Sequence, residues 1–193
     1  FSITIFLIFI LLPFVEMFYA SLRPLDHLFR SPYQFFSDDL SFWAYREMWN
    51  TVPMLGRYIF NSFFLATVTS VITLLFVIPA AYSYARFTFP FKNSSLYILL
   101  AINMFSGAVL LIPLYKVLRT FGLLNTYLAM IVPGVAFLIP TSIWLLKSYF
   151  EKIPIDLEEA AFVDGASRVQ ILRHIIAPLS TPGLVVVGIY AFI

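Results

Sequence analysis

Four carboxylates, Asp156, Glu158, Glu159 and Asp164, crowd one short stretch of this 193-residue chain. Acids so close together can carry out hydrolysis, one donating a proton while its neighbour activates water. That chemistry also needs a pocket and an oxyanion donor, neither of which the sequence suggests, so a hydrolase is the weaker reading. The other chemistry open to such a cluster is recognition, with acids and small side chains forming a surface that a second protein grips. Asp156 is a good N-cap, and Glu159 three residues on completes a pair of the capping-box kind, which predicts a short helix from that point. Ala160 and Ala161 give this helix a small-residue face. Gly165 stands where the chain has to leave it, because glycine tolerates the left-handed backbone that other residues resist.

A second helix is predicted from Ser167, with Val169, Leu172, Ile175 and Ile176 at helical spacing and Arg168, Gln170, Arg173 and His174 elsewhere around it. Pro178 closes it and opens the next segment at a position that tolerates proline. The product is a helix-turn-helix elbow with an alanine face and an acidic edge, stranded between two apolar runs. Two readings of its local physics stay open. It is a surface through which force reaches the flanking helices, or a solvated loop whose glycine and prolines are ordinary punctuation.

The elements that must hold this elbow are of membrane grade. Hydrophobic residues make up 61% of the chain and charged residues 11%, against roughly 25% charged in an ordinary soluble domain, and mean hydropathy is +0.92. The class is an all-α, polytopic integral membrane protein. A crossing of about 30 Å needs about 20 mostly apolar residues, and stretches at roughly 1–20, 58–85, 94–118, 127–150 and 178–193 answer to that, the last truncated. Pro13, Pro79, Pro113, Pro133 and Pro140 lie inside them and predict bends. The chain starts at Phe1 inside one apolar run and stops at Ile193 inside another, and reads as part of a longer protein. Residues 21–57 form the longest connection, in which the segment from Ser41 to Trp49 sets aromatics beside charges and predicts a short interfacial helix without chemistry of its own. The positive-inside rule does not orient the spans. Arg86, Lys92, Lys147, Lys152, Arg168 and Arg173 on one side balance Arg23, Arg30, Arg46, Arg57, Lys116 and Arg119 on the other.

Several classes are set aside on the same residues. The net charge of +2 comes from scattered basic residues that make no nucleic-acid footprint. With no cysteine, and with His27 and His174 far apart, no metal cluster is suggested. No GxxxxGK[ST] phosphate loop occurs, so ATP binding must belong to another chain and this one is not itself an enzyme. An ion-coupled secondary carrier needs ionisable groups deep in the membrane, and here Glu16 lies in a span but near its outer end. A sugar pathway needs neutral hydrogen-bonding groups and aromatic faces, for which Asn103, Ser106, Thr141, Ser142 and Trp144 are candidates, each as readily a helix-packing residue.

Glu159-Ala160-Ala161, then Gly165, then Ile175-Ile176-Ala177-Pro178 resemble the EAA loop of the membrane permease subunits of binding-protein-dependent ABC importers. Ala177 departs from the leucine usual in that pattern. Asn61-Ser62, Ala81-Tyr82-Ser83-Tyr84-Ala85-Arg86, Phe89-Pro90-Phe91-Lys92 and Gly122-Leu123-Leu124-Asn125-Thr126 are similar to the carbohydrate branch, the maltose-type permease of the smaller kind. The resemblance implies a single permease domain over 1–193, a type I importer helix bundle with six spans in the full chain, and a place in a prokaryotic inner membrane. It implies that 21–57 lies outside, where it meets an external solute-binding protein, and that 151–177 is a cytoplasmic coupling loop. It further implies a heterodimer with a second permease, a dimer of ATPase subunits that hold ATP and magnesium, and no cofactor on this chain. Glu159, assisted by Asp164, becomes the acidic contact with the ATPase, Ala160 and Ala161 the close-packing face, and Gly165 the hinge. Sugars are the favoured solutes, with glycerol phosphate or another solute as the alternative.

Overall fold

The computed structural model describes residues 2–24, 40–105 and 107–193, and among them the chain is helical without strands. It divides into two compact units, 1–60 and 61–193.

In the first unit, α1 (Ser2–Ser21) is apolar over most of its surface and no residue of its hydrophobic window is buried by protein. In water such a surface would aggregate, whereas lipid covers it at no cost. Its acid, Glu16, is paired with Arg23 at 3.5 Å, and the Arg23 guanidinium lies 4.5 Å from the centre of the Tyr19 ring. The predicted surface helix is α2 (Trp43–Thr51), which buries none of its residues. Ser41 receives the Trp43 N–H at 3.4 Å, although the N-cap position itself is Phe42. Asp26, His27, Arg30, Asp38 and Asp39 fall outside the described residues.

The long helix α3 (Leu55–Arg86) starts in the first unit and runs through the second. Its 32 residues measure about 48 Å at 1.5 Å per residue. It is followed by α4 (Lys92–Ile102), α5 (Gly107–Thr120) and α6 (Leu128–Phe150). Tyr127 donates to Asn61 at one end of α3, and the Phe150 ring packs edge-on to Tyr82 at the other, so α3 and α6 run parallel. Beyond α6 come α7 (Asp156–Val163), α8 (Arg168–Leu179) and α9 (Thr181–Phe192). Ser70 on α3 donates to the Gly188 carbonyl and Phe63 packs on Phe192, so α9 returns antiparallel to α3. The core of this unit is Val77, Ala81 and Tyr82 of α3 with Ile143, Leu146 and Phe150 of α6, closed by Ile171 and Ile176 of α8 and Val187 of α9.

Two expectations need correction. The stretch at 94–118 is not one continuous helix. Asn103 sends its side chain across to Thr141 at 2.8 Å, the N–H groups of Met104 and Phe105 tighten onto carbonyls three residues back, and Gly107 follows, a poor helix former. Neither piece, at about 16 and 21 Å, reaches across 30 Å of hydrocarbon by itself. By length and composition α1, α3 and α6 can cross a membrane, and the pair α8 and α9, bent by 83°, makes a fourth if counted as one. The second correction concerns Asp156, which does not cap α7. The N-cap is Ile155, with no side-chain hydrogen bond, and Asp156 and Glu159 form no capping box. Asp156, Glu158 and Glu159 instead occupy the first turn, where carboxylates favour the positive end of the helix dipole.

Candidate functional site

The elbow is assembled where α3 and α6 end and α9 begins. From Phe150 the chain turns through Lys152 and Ile153, whose N–H groups bond carbonyls three residues back, and enters α7. It leaves α7 through Gly165 at φ +84°, with the Ala166 N–H reaching the Ala161 carbonyl at 2.9 Å. That is the left-handed exit glycine adopts without a Cβ penalty. A capping box then does start the next helix. Gln170 N–H donates to Ser167 Oγ at 3.4 Å and Ser167 N–H to Gln170 Oε1 at 2.7 Å. The helix widens into a π turn over Leu172–Ile176 before Pro178 and the bend at Ser180.

Of the two adjacent glutamates, Glu159 is exposed and Glu158 is buried, at 3% accessibility. Glu158 accepts from the Tyr82 hydroxyl at 2.7 Å through one oxygen and from Arg86 Nε through the other. The same guanidinium donates through Nη2 to the Ile153 carbonyl at 2.9 Å. One arginine at the end of α3 therefore holds both the entry to α7 and its buried acid. A second tie joins α3 to the other arm. The Arg168 guanidinium lies 4.7 Å from the Phe87 ring centre and 5.1 Å from that of Phe162, a range in which a cation is attracted to an aromatic face. A carboxylate this deep is tolerated because it is paired and hydrogen-bonded at both oxygens.

What this framework leaves outward is mixed in chemistry. Asp156, Glu159, Ala160 and Asp164 are exposed, and Ala161 is half-buried against the core. Val163 and Val169 are also bare, at 88% and 74%. Asp164, Gly165, Gln170 and His174 line an open notch between the two arms. Acids thus stand beside uncovered apolar side chains on a base tied to α3.

The predicted pathway residues are more dispersed. Asn103 and Thr141 are bonded to each other and link α4 to α6. Ser142 is completely buried with its hydroxyl unpartnered, Trp144 is half-exposed, and Ser106 lies outside the described residues. Sequence reasoning missed Glu158, Arg86 and Tyr82 as a unit. The available signal was Tyr82 and Arg86 spaced i, i+4, which places them on one helical face just where an apolar span ends.

The family described as binding-protein-dependent transport system inner membrane component matches residues 77–193, more than half of the chain. The chain is 33% identical over 183 residues to the sulfoquinovosyl glycerol transport system permease protein SmoH of Agrobacterium fabrum, over 95% of this chain and 64% of that protein. It is 34% identical over 183 residues to the trehalose transport system permease protein SugB of Mycobacterium tuberculosis, over 95% and 66%. A crystal structure of a bacterial ABC transporter involved in the import of the acidic polysaccharide alginate matches with a TM-score of 0.79 at 24% identity, over 99% of this chain and 66% of that one, a likeness of fold. The chain thus spans about two thirds of the length of these relatives. It belongs to the family of inner membrane components of binding-protein-dependent transport systems.

Proposed function

We propose that this chain is a membrane-spanning permease subunit of an ATP-driven importer, translocating a sugar or sugar-like solute that an external binding protein delivers. The observation that carries the reading is the elbow, whose buried Glu158 fixes it to α3 while Glu159, Asp164 and Val163 stand free for a partner. That partner is a dimer of ATPase subunits holding ATP and magnesium, and a second permease completes the pathway. The absence of a phosphate loop from this sequence fits a separate ATPase. The solute class rests on the relatives, whose names refer to a sulfoquinovosyl glycerol and to trehalose.

In this reading the elbow lies on the cytoplasmic side and enters a cleft of the ATPase. Nucleotide-driven closure of the ATPases moves it, and hydrolysis releases it. The permease then alternates between two states, and the ATPase biases that equilibrium only as far as it binds one state better than the other. Glu159 supplies the charged contact, Ala160 and Ala161 the close approach, and Gly165 the turn that aims both arms.

Two substitutions test these roles. Glu159→Lys reverses an exposed charge without disturbing the buried Glu158, and is expected to weaken ATPase binding about tenfold or more, equal to about 1.4 kcal/mol, while the permease inserts normally. Binding measured on purified components at unchanged affinity would remove Glu159 from the docking surface. A Cβ at Gly165 meets no neighbouring atom within 4 Å, so the first cost of Gly165→Val is conformational. A branched residue held near φ +84° costs about 1–2 kcal/mol, and less ATPase is expected to co-purify. Whole-protein function is tested by uptake of radiolabelled trehalose and maltose in cells with and without this chain, together with ATP depletion at a clamped ion gradient. Uptake that needs the chain but survives ATP depletion would overturn an ATP-driven importer.

A further inference from the structure

We propose that the Glu158–Arg86 pair, with Tyr82, is a transmission joint that makes α3 move as one body with the elbow, although α3 is not contiguous with it in sequence. The inference rests on the reading that an ATPase engages the elbow. Its covalent neighbours are α6 and α9, and the link to α9 is not a straight helix. That link runs through the π turn at Leu172–Ile176 and the 83° bend at Ser180, whose buried hydroxyl has no partner. A push on the elbow is therefore not delivered along the axis of α9.

The link to α3 is of a different kind. It has two points of attachment, one on each arm. Glu158 of α7 is held by Tyr82 and Arg86, and Arg168 of α8 lies against Phe87 just past the end of α3. One contact would act as a pivot about which the elbow could turn freely, whereas two separated contacts carry torque. Arg86 also grips the Ile153 carbonyl on the strand of chain entering α7, which prevents that arm from peeling away alone.

The relative strength of the ties decides which yields. The side chains of Arg86 and Glu158 are 8% and 4% accessible, whereas in the nearby Lys147–Glu151 pair Glu151 is 45% accessible. Opening an exposed pair is cheap because water replaces each partner, and opening a buried one strands both charges. The joint therefore stays closed while softer connections give way, and α3 follows the elbow. Since α3 packs along α6 and contacts α9 through Ser70 and Phe63, its displacement would be felt along the whole second unit.

The sequence contains no cysteine, so with any others in the complex replaced, introduced ones accept spin labels specifically. In the complete complex with its ATPase, one label pair is placed at Phe76 of α3 and Val132 of α6, both exposed. A second pair reports the elbow, from Arg173 to Val132. Trapping with Mg-ATP and vanadate is expected to change both separations in the otherwise unmodified chain, each by about 2 Å or more. In the double variant Arg86→Gln with Glu158→Gln, which removes both charges at once and keeps hydrogen-bonding groups, the elbow pair still shifts and the α3 pair does not. An α3 shift that persists unchanged in the double variant would overturn the joint. So would loss of both shifts with the ATPase still bound, since that would make the pair a prop of the elbow rather than a link to α3. Should the double variant fail to accumulate, Tyr82→Phe removes one hydrogen bond. A reduced α3 shift then supports the proposal and a full one refutes it. If no ATPase binds the unmodified chain, the proposed function fails instead.

Discussion

Arg86→Ala is expected to cost about 3–5 kcal/mol of folded-state stability. The substitution removes the Nε–H that meets Glu158 and the Nη2–H that meets Ile153, and leaves a carboxylate buried with only the Tyr82 hydroxyl. A stranded charge in such surroundings either protonates or drags water and backbone apart to be solvated. The penalty belongs mostly to the orphaned partner and not to the bond itself. It follows that Arg86→Met combined with Glu158→Met and Tyr82→Phe, which buries apolar groups of similar length and no charge and leaves no hydroxyl without its acceptor, recovers much of the loss, since such replacements are often neutral or stabilising. Thermal unfolding of the detergent-solubilised protein, followed by the fraction that remains monodisperse, distinguishes the two. A combined variant no more stable than Arg86→Ala alone would mean that the pair contributes through its attraction and not by avoiding an unpaired charge.

The second large effect lies at Gly183, in the first turn of α9. A Cβ placed there would come within 2.5 Å of Tyr149 Cγ, 2.8 Å of its Cδ2 and 2.9 Å of its Cβ. These are the stem atoms of the side chain, anchored to α6, so no rotation of a flexible tip relieves the overlap. The helices must separate. Gly183→Ala is expected to cost about 1–3 kcal/mol and Gly183→Val to fall at the upper end or beyond. Tyr149→Ala in the Gly183→Ala background removes the two closest atoms, Cγ and Cδ2, and should restore part of the loss, less the overlap with the Cβ that remains at 2.9 Å and the cation–aromatic contact with Lys152 at 5.3 Å. The check is again thermal unfolding, read as a double-mutant cycle. Independent, additive costs for the two substitutions would show that the ring does not lie on Gly183 in the folded protein.

Features whose causes are local were legible in the sequence. Gly165 and Ser167 announce a left-handed exit followed by a new helix, because both signals act within a few residues, and the structure places them so. The apolar spans were legible because their cause is composition. The break inside 94–118 was not, since averaging hydropathy over a window conceals Asn103, whose side chain is drawn to a hydroxyl 38 residues away. Asp156 was misplaced because a favourable cap type does not decide where a helix begins. Here Ile155 already has helical dihedrals and its carbonyl accepts the first bonds. The distinction between Glu158 and Glu159 is the most instructive. Adjacent residues on a helix differ by about 100° in direction, so one faces inward and the other outward. Nothing within the loop says which, because the answer is fixed by an arginine 72 positions earlier.

That separation has a further consequence for how the molecule is made. At about 5–20 residues per second of synthesis, Arg86 leaves the ribosome roughly 4–14 s ahead of Glu158. Throughout that interval the nascent α3 ends in a cation without its counter-charge, and neither the carboxylate nor the Ile153 carbonyl yet exists to receive it. Because α6 lies between Arg86 and Glu158 in sequence, the buried pair closes only after α6 has been made, and until then the end of α3 has no acid to hold.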